Sequence, residues 1–331
     1  MKKTGVIILN WNGEKLLREF LPIVARTTIS DEADLIVADN GSTDGSVAWV
    51  RENHPEVKLL AFRENYGFAK GYNKALELTD YRYTVLLNSD VETSDGWLDP
   101  LVDYMDSHPR AGAAQPKILS WKERDRFEYA GAAGGYLDVN GYPWCRGRLF
   151  ECIERDEGQY DSSDPVPVAW ASGAALIVRS EAYRALGGLD ENFFAHMEEI
   201  DLCCRMHAAG WEVSAITSSK VWHVGGASLP QGNPRKVYLN FRNNLLLLHK
   251  SLPPRRGRKV LFRRRLYDTL AWGMMMLRCD FKGARAILRA HRDFRRMRKL
   301  YTDLPATDTL SSLPGARRNI IIDHYLKRQK K

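Results

Sequence analysis

Short apolar runs alternate with polar loops and helical patterns along the first ninety residues. Four runs rich in β-branched and aliphatic residues, at 6–9, 35–38, 57–62 and 84–87, each end at a polar loop. Between the first two, residues 15–25 carry apolar side chains at helical spacing, with Pro22 as an interruption. Strands that alternate with helices are typical of a doubly wound, mostly parallel α/β sheet. Ligands of such sheets bind beyond the carboxyl ends of the strands, where the four loops are expected.

The polar loops offer carboxylates and amides instead of a glycine-rich phosphate cradle. No GxGxxG follows the first run and no GxxxxGK[ST] occurs in the sequence. This argues against dinucleotide-dependent redox chemistry and P-loop phosphoryl transfer. Asp39, at the end of the second run, can accept a hydrogen bond from a base or ribose. Asp90, just after the fourth run, can bind a hard divalent cation that bridges phosphate oxygens, although an Asp at a strand end is also a common turn former.

Three carboxylates stand close together near residue 200. Glu198, Glu199 and Asp201 follow an aromatic-rich turn and precede a predicted helix over residues 202–209. Acidic residues at a helix N-terminus are stabilised by the helix dipole, so capping is one interpretation. Three carboxylates within four residues repel one another unless a cation or a substrate proton reduces the repulsion, and we therefore favour a catalytic site. Asp201 could instead cap the helix or pair with Arg205.

Two further segments are candidates for substrate contact. Residues 127–160 are rich in glycine and aromatic residues, which suits either a sugar-binding surface or an ordinary β-meander core. Trp170 could join this surface, and Ser172 and Gly173 could line the cleft ahead of a predicted strand at 174–178. The resemblance described below would make these residues part of an acceptor-binding site. On a predicted helix over residues 236–250, Arg242 could reach a diphosphate or form a surface ion pair.

Basic residues are concentrated in residues 253–300. This segment holds sixteen Lys and Arg against three Asp and Glu, a net charge of +13, whereas the whole chain carries +8, so the rest sums to −5. Five of the basic residues form one helical stripe beside an apolar run at 270–277, which is too short to span a bilayer because spanning needs about 20 apolar residues. We predict contact with an anionic membrane surface, with a solvated helix as the alternative. The stripe comprises Arg285, Arg289, Arg292, Arg296 and Lys299.

Six motifs in order resemble those of the inverting family 2 glycosyltransferases, and most closely their rhamnosyltransferase-like bacterial branch. They are ILNWNG, ADNGSTDGS, ENYGFAKGYNKAL, LLNSDVE, GGLDENFFAHMEEIDLCCR and VWHVGGAS, within roughly residues 4–250. The resemblance implies a GT-A fold, a nucleotide-diphospho-sugar transferase with a Rossmann-like, mostly parallel sheet. We predict this domain over residues 1–235, with a nucleotide-binding half at 1–115, an acceptor and catalytic half at 116–235, and a basic helical C-terminal extension at 236–331.

The resemblance also implies roles for single residues. Glu199 falls on the catalytic base, with Glu198 and Asp201 as alternatives, and Asp90 and His223 fall on ligands for Mn²⁺ or Mg²⁺. Glu199 stands where the family usually has Asp, and Asn88 replaces the first acidic residue of the metal motif. The residues that match nucleotide-binding positions are Asn10, Trp11, Asn12, Asp39, Asn65, Gly67, Asn73 and Asn88.

The implied activity is metal-dependent, inverting transfer of a sugar, first expected to be rhamnose, in cell-surface polysaccharide assembly. The donor would be dTDP-rhamnose or a UDP-sugar, and the acceptor a hydroxyl of a glycan or lipid-linked molecule. We expect a cytoplasmic protein without a signal peptide, peripheral at the inner face of the cytoplasmic membrane, with reduced cysteines. One alternative is a non-catalytic sugar-nucleotide-binding relative. The other is a nucleic-acid-binding protein, prompted by a pI near 9.2, but no nucleic acid is expected because the recognisable binding motifs are missing.

Overall fold

The first four strands form where the apolar runs predict them. A computed structural model describes residues 2–225 and 233–325. For Tyr325 it describes the backbone and not the side chain. Its helices are α1 Glu14–Thr28, α2 Ser46–Asn53, α3 Phe68–Glu77, α4 Asp99–Ser107, α5 Ser180–Ala185, α6 Glu198–Ala208, α7 Pro234–Ser251, α8 Pro254–Leu277, α9 Phe281–Met297 and α10 Ile320–Tyr325. Short 3₁₀ helices lie at Glu191–Phe193, Arg298–Leu300 and Thr309–Ser312.

Thirteen strands divide between two sheets in the described residues. The strands are β1 Thr4–Asn10, β2 Ala33–Asp39, β3 Lys58–Ala61, β4 Tyr83–Leu87, β5 Val91–Thr93, β6 Ala111–Ser120, β7 Gly135–Leu137, β8 Pro143–Cys145, β9 Arg148–Leu149, β10 Cys152–Ile153, β11 Val166–Pro167, β12 Ala175–Arg179 and β13 Glu212–His223. The large sheet has the order β11-β13-β6-β12-β4-β1-β2-β3, with β5 paired to β13. The small antiparallel sheet has the order β10-β9-β8-β7.

The parallel prediction holds for one half of the large sheet. Strands β3, β2, β1 and β4 are parallel to their neighbours. Strand β12 then runs antiparallel to both β4 and β6, and β13 pairs parallel with β6. Because β1, β2 and β4 all end at the same edge, their carboxyl-terminal loops meet there, as the sequence pattern requires.

Both faces of the large sheet are buried, which explains the unbroken apolar runs. In β1, Ile7 packs in a core that includes Tyr72 of α3 and Leu202 of α6. Its neighbours Val6 and Ile8 face the opposite core, beside helices α1 and α4. Alternate residues of a strand point to opposite faces, so each run supplies both cores at once.

Three local features differ from or refine the predictions. Helix α1 continues through Pro22, which lies on its exposed side and therefore does not break the packed face. Helix α6 begins at Glu198 instead of residue 202, so all three carboxylates lie in its first turn. The glycine-rich segment folds into β7–β10, in agreement with the β-meander interpretation.

The C-terminal helices pack onto the sheet domain through α7. The apolar run Leu245, Leu246, Leu247 and Leu248 of α7 is fully buried in one of the cores. Helix α8 begins after Pro253, where a break is predicted, and α9 packs on α7 and α8. The five residues of the predicted basic stripe are all exposed. Within the described part of the chain, no helix combines the length and apolar character that crossing a bilayer requires.

Candidate active site

The loops after β1 and β2 are joined by a network of side-chain hydrogen bonds. Asn10 is completely buried, and its Nδ2 donates to Asp39 Oδ1 at 2.9 Å. The other oxygen of Asp39 accepts from the Ser42 backbone N–H at 2.9 Å. Asn12 joins the same loops because its Oδ1 accepts from the Thr43 N–H at 2.8 Å. Trp11 stays 57% exposed beside this network, so a flat aromatic surface is available at the predicted nucleobase position.

A second network fixes the turn that starts α3. Asn40 Nδ2 donates to Asn65 Oδ1 at 3.1 Å and to the Gly67 carbonyl at 3.0 Å. Gly67 has a φ of 78°, and a Cβ there would lie 3.1 Å from the ring of Phe194. The backbone conformation and the close approach of Phe194 both require glycine. Asn65 and Gly67 therefore meet at one turn, which touches the segment ahead of the three carboxylates.

Asn73 lies further along α3 and serves a different contact. Its Nδ2 donates to the Leu189 carbonyl at 2.8 Å, and its Oδ1 accepts from the Leu189 N–H at 2.9 Å. The Tyr183 hydroxyl also donates to Asn73 Oδ1, at 2.6 Å. These bonds tie α3 to the loop before the acidic motif. The predicted nucleotide contact of Asn73 stays a prediction.

Asp90 and His223 come together although they are far apart in sequence. Strand β13 carries His223 past β5, and its Nε2 lies 3.1 Å from Asp90 Oδ1. Asn88 Nδ2 is 3.3 Å from the same ring nitrogen. On the other side of the imidazole, Nδ1 faces Glu128 Oε1 at 3.6 Å. Residues 226–228 of the VWHVGGAS motif lie outside the described residues.

Two carboxylates around His223 favour the protonated form of its imidazole. Burial alone would lower the pKa of His223, but Asp90 and Glu128 together raise that pKa to about 10. Burial likewise opposes ionisation of Asp90, yet its hydrogen bond with His223 keeps the pKa of Asp90 below its ordinary value.

Asp90 and His223 together fit two ligands of a divalent cation whose remaining ligands would come from the substrate and water. In octahedral coordination with bonds of about 2.1 Å, neighbouring ligand atoms are about 3 Å apart, which matches the 3.1 Å between Asp90 and His223. A carboxylate behind the second nitrogen of a ligating histidine, as Glu128 is here, is the usual support of such a ligand. Across residues 2–225 and 233–325, no group of three or more His, Cys, Asp or Glu could hold a metal by itself. Magnesium-type sites commonly use one or two protein ligands together with substrate phosphates and water.

The three carboxylates of α6 have different surroundings. Asp201 is completely buried and ion-paired, with Arg205 at 2.8 Å and with Lys250 at 2.8 Å. Glu198 is buried, and burial together with the charge of Glu199 raises the pKa of Glu198 well above its ordinary value. Glu199 is only half-buried, and burial raises the pKa of its carboxyl group to about 7. Asp201 therefore matches the predicted pairing with Arg205. Glu199 is the least buried of the three residues, and its Oε2 is buried without a hydrogen-bond partner in the described residues.

The segment just before β12 connects Glu199 with the loop that carries Asn88 and Asp90. Its side chain packs against Gly173, where an added Cβ would lie 3.7 Å from Glu199 Cβ. The next residue, Ala174, accepts the Asn88 backbone N–H at 3.0 Å. Ser172 is buried and donates to the Ala130 carbonyl. Gly173 thus lies beside Glu199, and Ser172 is hydrogen-bonded to Ala130. The predicted places of both residues in the acceptor cleft stay predictions.

Trp170 and Arg242 are occupied by contacts within the protein. Trp170 is buried, with its indole Nε1 donating to the Tyr136 carbonyl at 2.9 Å. Arg242 is buried and donates to the carbonyls of Asn192 at 3.1 Å and Phe193 at 2.8 Å. Their predicted contacts, with an acceptor and a diphosphate respectively, stay predictions.

The loop before α6 has an unusual backbone that α7 holds in place. Phe194, His196 and Met197 all have positive φ angles, of 67°, 67° and 74°. Non-glycine residues pay about 1–3 kcal/mol for such conformations, which persist where the surroundings enforce them. Asn243 of α7 is completely buried, and its Nδ2 donates to the carbonyls of Phe193, Ala195 and His196 at 3.0, 2.9 and 2.7 Å. We call the 192–196 loop with Arg242 and Asn243 the loop clamp.

Sequence comparison identifies the family to which this site belongs. Residues 5–143 match the family described as Glycosyl transferase family 2. The N-acetylglucosaminyl-diphospho-decaprenol L-rhamnosyltransferase of Mycobacterium tuberculosis is 30% identical over 241 residues, which cover 66% of this chain and 75% of the relative. The chain belongs to glycosyl transferase family 2. The low-salt glycan biosynthesis hexosyltransferase Agl10 of Haloferax volcanii is 23% identical to this family 2 glycosyltransferase, covering 73% of this chain and 74% of that relative.

Solved structures show the fold of this family 2 enzyme. Residues 1–349 of Staphylococcus aureus TarS, in complex with UDP-GlcNAc, superpose with a TM-score of 0.58 at 16% identity, covering 88% of this chain and 80% of that one. The mannosyltransferase PcManGT from Pyrobaculum calidifontis, in complex with GDP-Man and Mn²⁺, gives a TM-score of 0.53 at 16% identity and covers 88% and 87%. The predicted GT-A fold with a C-terminal helical extension is confirmed.

Some residues of this family 2 site escaped the sequence analysis. Glu128 lies in the glycine-rich segment, and nothing in its surroundings along the chain points to His223. Asn243 left a weak signal: residues 242–244 are polar at the start of an otherwise apolar, buried stretch of α7. Buried polar side chains require partners, so such a run indicates a specific contact without naming it.

Proposed function

We propose that this family 2 glycosyltransferase uses Glu199 as the general base of a metal-dependent, inverting sugar transfer. The observation that supports this is the state of Glu199, a half-buried residue whose carboxylate has no ion-pair partner in the described residues. Its side chain packs against Gly173, and the next residue, Ala174, accepts the Asn88 N–H. A carboxyl group with a pKa near 7 is partly ionised at neutral pH. Its ionised form is also basic enough to remove the proton of the acceptor hydroxyl.

The proposed reaction is a single displacement. The acceptor hydroxyl loses its proton to Glu199 as its oxygen bonds to the anomeric carbon, and the bond to the nucleoside diphosphate breaks on the opposite face. Attack opposite the leaving group inverts the anomeric centre. Asp90 and His223 would hold Mn²⁺ or Mg²⁺, which when bound supplies charge stabilisation for the departing diphosphate. The loops at Asn10–Asp39 and Asn65–Gly67 would form the nucleotide side of the site.

For the substrates, we propose a nucleoside diphosphate sugar donor and a glycan or lipid-linked acceptor. The relative from Mycobacterium tuberculosis is named as a rhamnosyltransferase acting on a decaprenol diphosphate sugar, which supports rhamnose as the first sugar to test, from dTDP-rhamnose, with UDP-sugars next. This would place the enzyme in cell-surface polysaccharide assembly. We also propose that residues 253–300 contact an anionic membrane at its cytoplasmic face, because their net charge is +13.

The test is a thermal-shift and turnover screen of purified protein against sugar nucleotides, with and without Mn²⁺ or Mg²⁺. We expect one donor to stabilise the wild type only with metal. Asp90→Ala should lose this stabilisation, and Glu199→Gln should keep it but lose turnover. Glu181→Gln, which changes an exposed carboxylate on α5, is the matched control. Metal-dependent binding without turnover in the wild type would favour a non-catalytic relative, and absence of donor binding would overturn the proposal.

A further inference from the structure

The most exposed apolar surface of the described chain lies at the end of α8 and the start of α9. Five large side chains recur at spacings of four, four, three and four residues, and each is between 48% and 87% exposed. Such spacing places the four in α8 along one face of the helix, and the exposed Phe281 begins α9 after the turn at residues 278–280. This surface, called the apolar tip, comprises Leu266, Leu270, Met274, Leu277 and Phe281.

Basic side chains surround the apolar tip. Arg265, Arg278, Lys282 and Arg285, the basic collar, are exposed, and none forms an ion pair within residues 2–225 and 233–325. Of the two acidic residues in the same segment, Asp268 is buried and Asp280 is exposed, and each has a partner within the protein. Asp268 pairs with His291 at 2.9 Å, and Asp280 caps α9 through the Gly283 N–H at 2.9 Å. The positive charge of the collar is therefore free to meet an external anionic surface.

We infer that the apolar tip inserts into the headgroup region of an anionic bilayer while the basic collar contacts the lipid phosphates. This deepens the membrane contact proposed for residues 253–300 and rests on it. A helix that combines exposed apolar and basic side chains lies in the membrane interface with its apolar face buried by about 5–10 Å. The predicted stripe on α9 would then add long-range attraction, whereas the tip would supply the insertion.

Two other partners fit the same surface less well. Nucleic acid would pair with the basic residues, but Leu, Met and Phe side chains would gain little from phosphates, and the tip offers only Phe281 for base stacking. A two-fold dimer through the tip would bring two basic collars against each other, because a two-fold interface places the same patch on both sides. A bilayer satisfies the apolar and the charged groups together.

The apolar tip is connected to the candidate active site through helices α9 and α7. Helix α9 packs on α7, and α7 carries Arg242 and Asn243 of the loop clamp. A bilayer bound at the apolar tip would thus lie against the helical unit that holds the loop before Glu199. This arrangement suits an acceptor presented from the membrane surface.

Vesicle flotation tests the inference with the full-length chain. Wild type should bind vesicles of phosphatidylcholine and phosphatidylglycerol and bind pure phosphatidylcholine far less. The double variant Leu270→Glu/Leu277→Glu should weaken binding by at least about tenfold, because two inserted side chains become charged. Leu78→Glu is the matched control, since Leu78 is 65% exposed, as is Leu270, but ends α3 in the sheet domain; it should bind like wild type.

A fluorescent label at Cys279 tests insertion directly. Cys279 lies in the turn of the tip and is the exposed one of the five free cysteines. An environment-sensitive dye there should shift its emission to the blue on anionic vesicles, and Cys279→Ser should remove the labelling. An unshifted dye on vesicle-bound protein would overturn insertion at the tip.

The other outcomes separate the proposals. Vesicle binding that Leu270→Glu/Leu277→Glu leaves intact would overturn the tip alone. If wild type does not bind vesicles, the membrane contact itself is overturned. The same conclusion follows if the chain binds duplex DNA instead of vesicles, or if it forms a dimer that the double variant dissociates. Donor turnover in detergent-free solution, measured with the same variants, reports on the transferase proposal separately, and the double variant should retain it.

Discussion

At the scale of single residues, the three carboxylates in the first turn of α6 cannot be assigned roles from their positions in the sequence alone. Asp201 is held by Arg205 and Lys250, and Glu198 is buried without an ion-pair partner in the described residues. The sequence proposes all three as bases because they share one motif. Their partners differ only in the folded chain, and those partners favour Glu199.

We predict that Glu199→Gln lowers kcat by about 10²- to 10⁴-fold, the usual contribution of a general base. The neutral amide keeps the size of the side chain, so donor-induced thermal stabilisation should persist. The measurement is initial-rate kinetics on the donor found by the screen, beside Glu181→Gln. A larger loss in Glu198→Gln than in Glu199→Gln would assign the base to the other residue.

The pH profile gives an independent reading of the same group. Burial raises the pKa of Glu199 to about 7, so its proton stays bound until the pH approaches neutrality, and only the ionised form can act as a base. We predict that kcat/KM falls about tenfold per pH unit on the acidic side of this pKa and levels off above it. A profile that is flat between pH 5 and 8, measured with saturating metal, would contradict the raised pKa.

Glu128 is predicted to support the cation site from behind His223. Glu128→Gln removes the negative charge that faces Nδ1 while keeping an oxygen that can accept from the Ala130 N–H. We expect Mn²⁺ affinity to fall by about 10- to 100-fold, as for other carboxylates behind a ligating histidine. Calorimetric Mn²⁺ titration in the presence of the nucleoside diphosphate measures this directly. Glu123→Gln, an exposed neighbour, should leave the affinity unchanged.

At the scale of elements, the loop clamp shows why a local sequence cannot define the approach to α6. Residues 194, 196 and 197 are not glycine, yet all adopt positive φ. Positive φ is uncommon for Phe and Met, and three such residues within four positions exceed what the modest tolerance of His for this conformation explains. Three carbonyls instead point at one amide of α7, a contact between segments that are distant along the chain.

We predict that Asn243→Ala releases the loop and impairs catalysis more than donor binding. Three backbone carbonyls lose a buried donor, so the free energy of unfolding should fall by about 2–3 kcal/mol. The kcat should fall because Glu199 follows the loop, while the KM for the donor, bound at β1–β4, should change little. Urea denaturation and steady-state kinetics measure the two effects. Asn53→Ala at the exposed end of α2 is the control, and a matching rise in KM for the donor would argue for general unfolding instead.

Other elements follow from the sequence to different degrees. The four strands and their terminal loops are confirmed because both faces of each strand are buried and the runs carry a strong signal. The antiparallel insertion of β12 was missed, since strand direction depends on where the chain re-enters the sheet. Pro22 suggested a break in α1, but an exposed proline leaves the packed face of a helix intact.

At the scale of the whole molecule, Lys250 joins the C-terminal helices to the catalytic segment. Its ammonium pairs with Asp201 of α6 at 2.8 Å and with Asp190 ahead of it. Burial alone would raise the pKa of Asp190, but Lys250 brings it below its ordinary value. The extension is therefore connected to the site by buried charge as well as by the apolar residues of α7.

Lys250→Met should destabilise the whole fold. Removing Lys250 leaves Asp190 without a cation and leaves buried Asp201 with Arg205 alone. Breaking a buried pair in this way costs about 3–5 kcal/mol. The expected result is a lower midpoint in urea denaturation at pH 7, with partial recovery at low pH, where protonation of Asp190 removes its charge. Lys15→Met, on the exposed face of α1, should have no comparable effect.

The sequence alone determined the family, the strand-and-loop order of the nucleotide side and the basic character of the extension, because these depend on local pattern and composition. Only the tertiary structure decided that Asp201 is the ion-paired carboxylate of the three, that Glu128 stands behind His223, that Asn243 holds the loop before α6, and where exposed apolar and basic side chains occur together. Each of these depends on contacts between segments distant along the chain. Periodicity and motif order carry no information about such contacts.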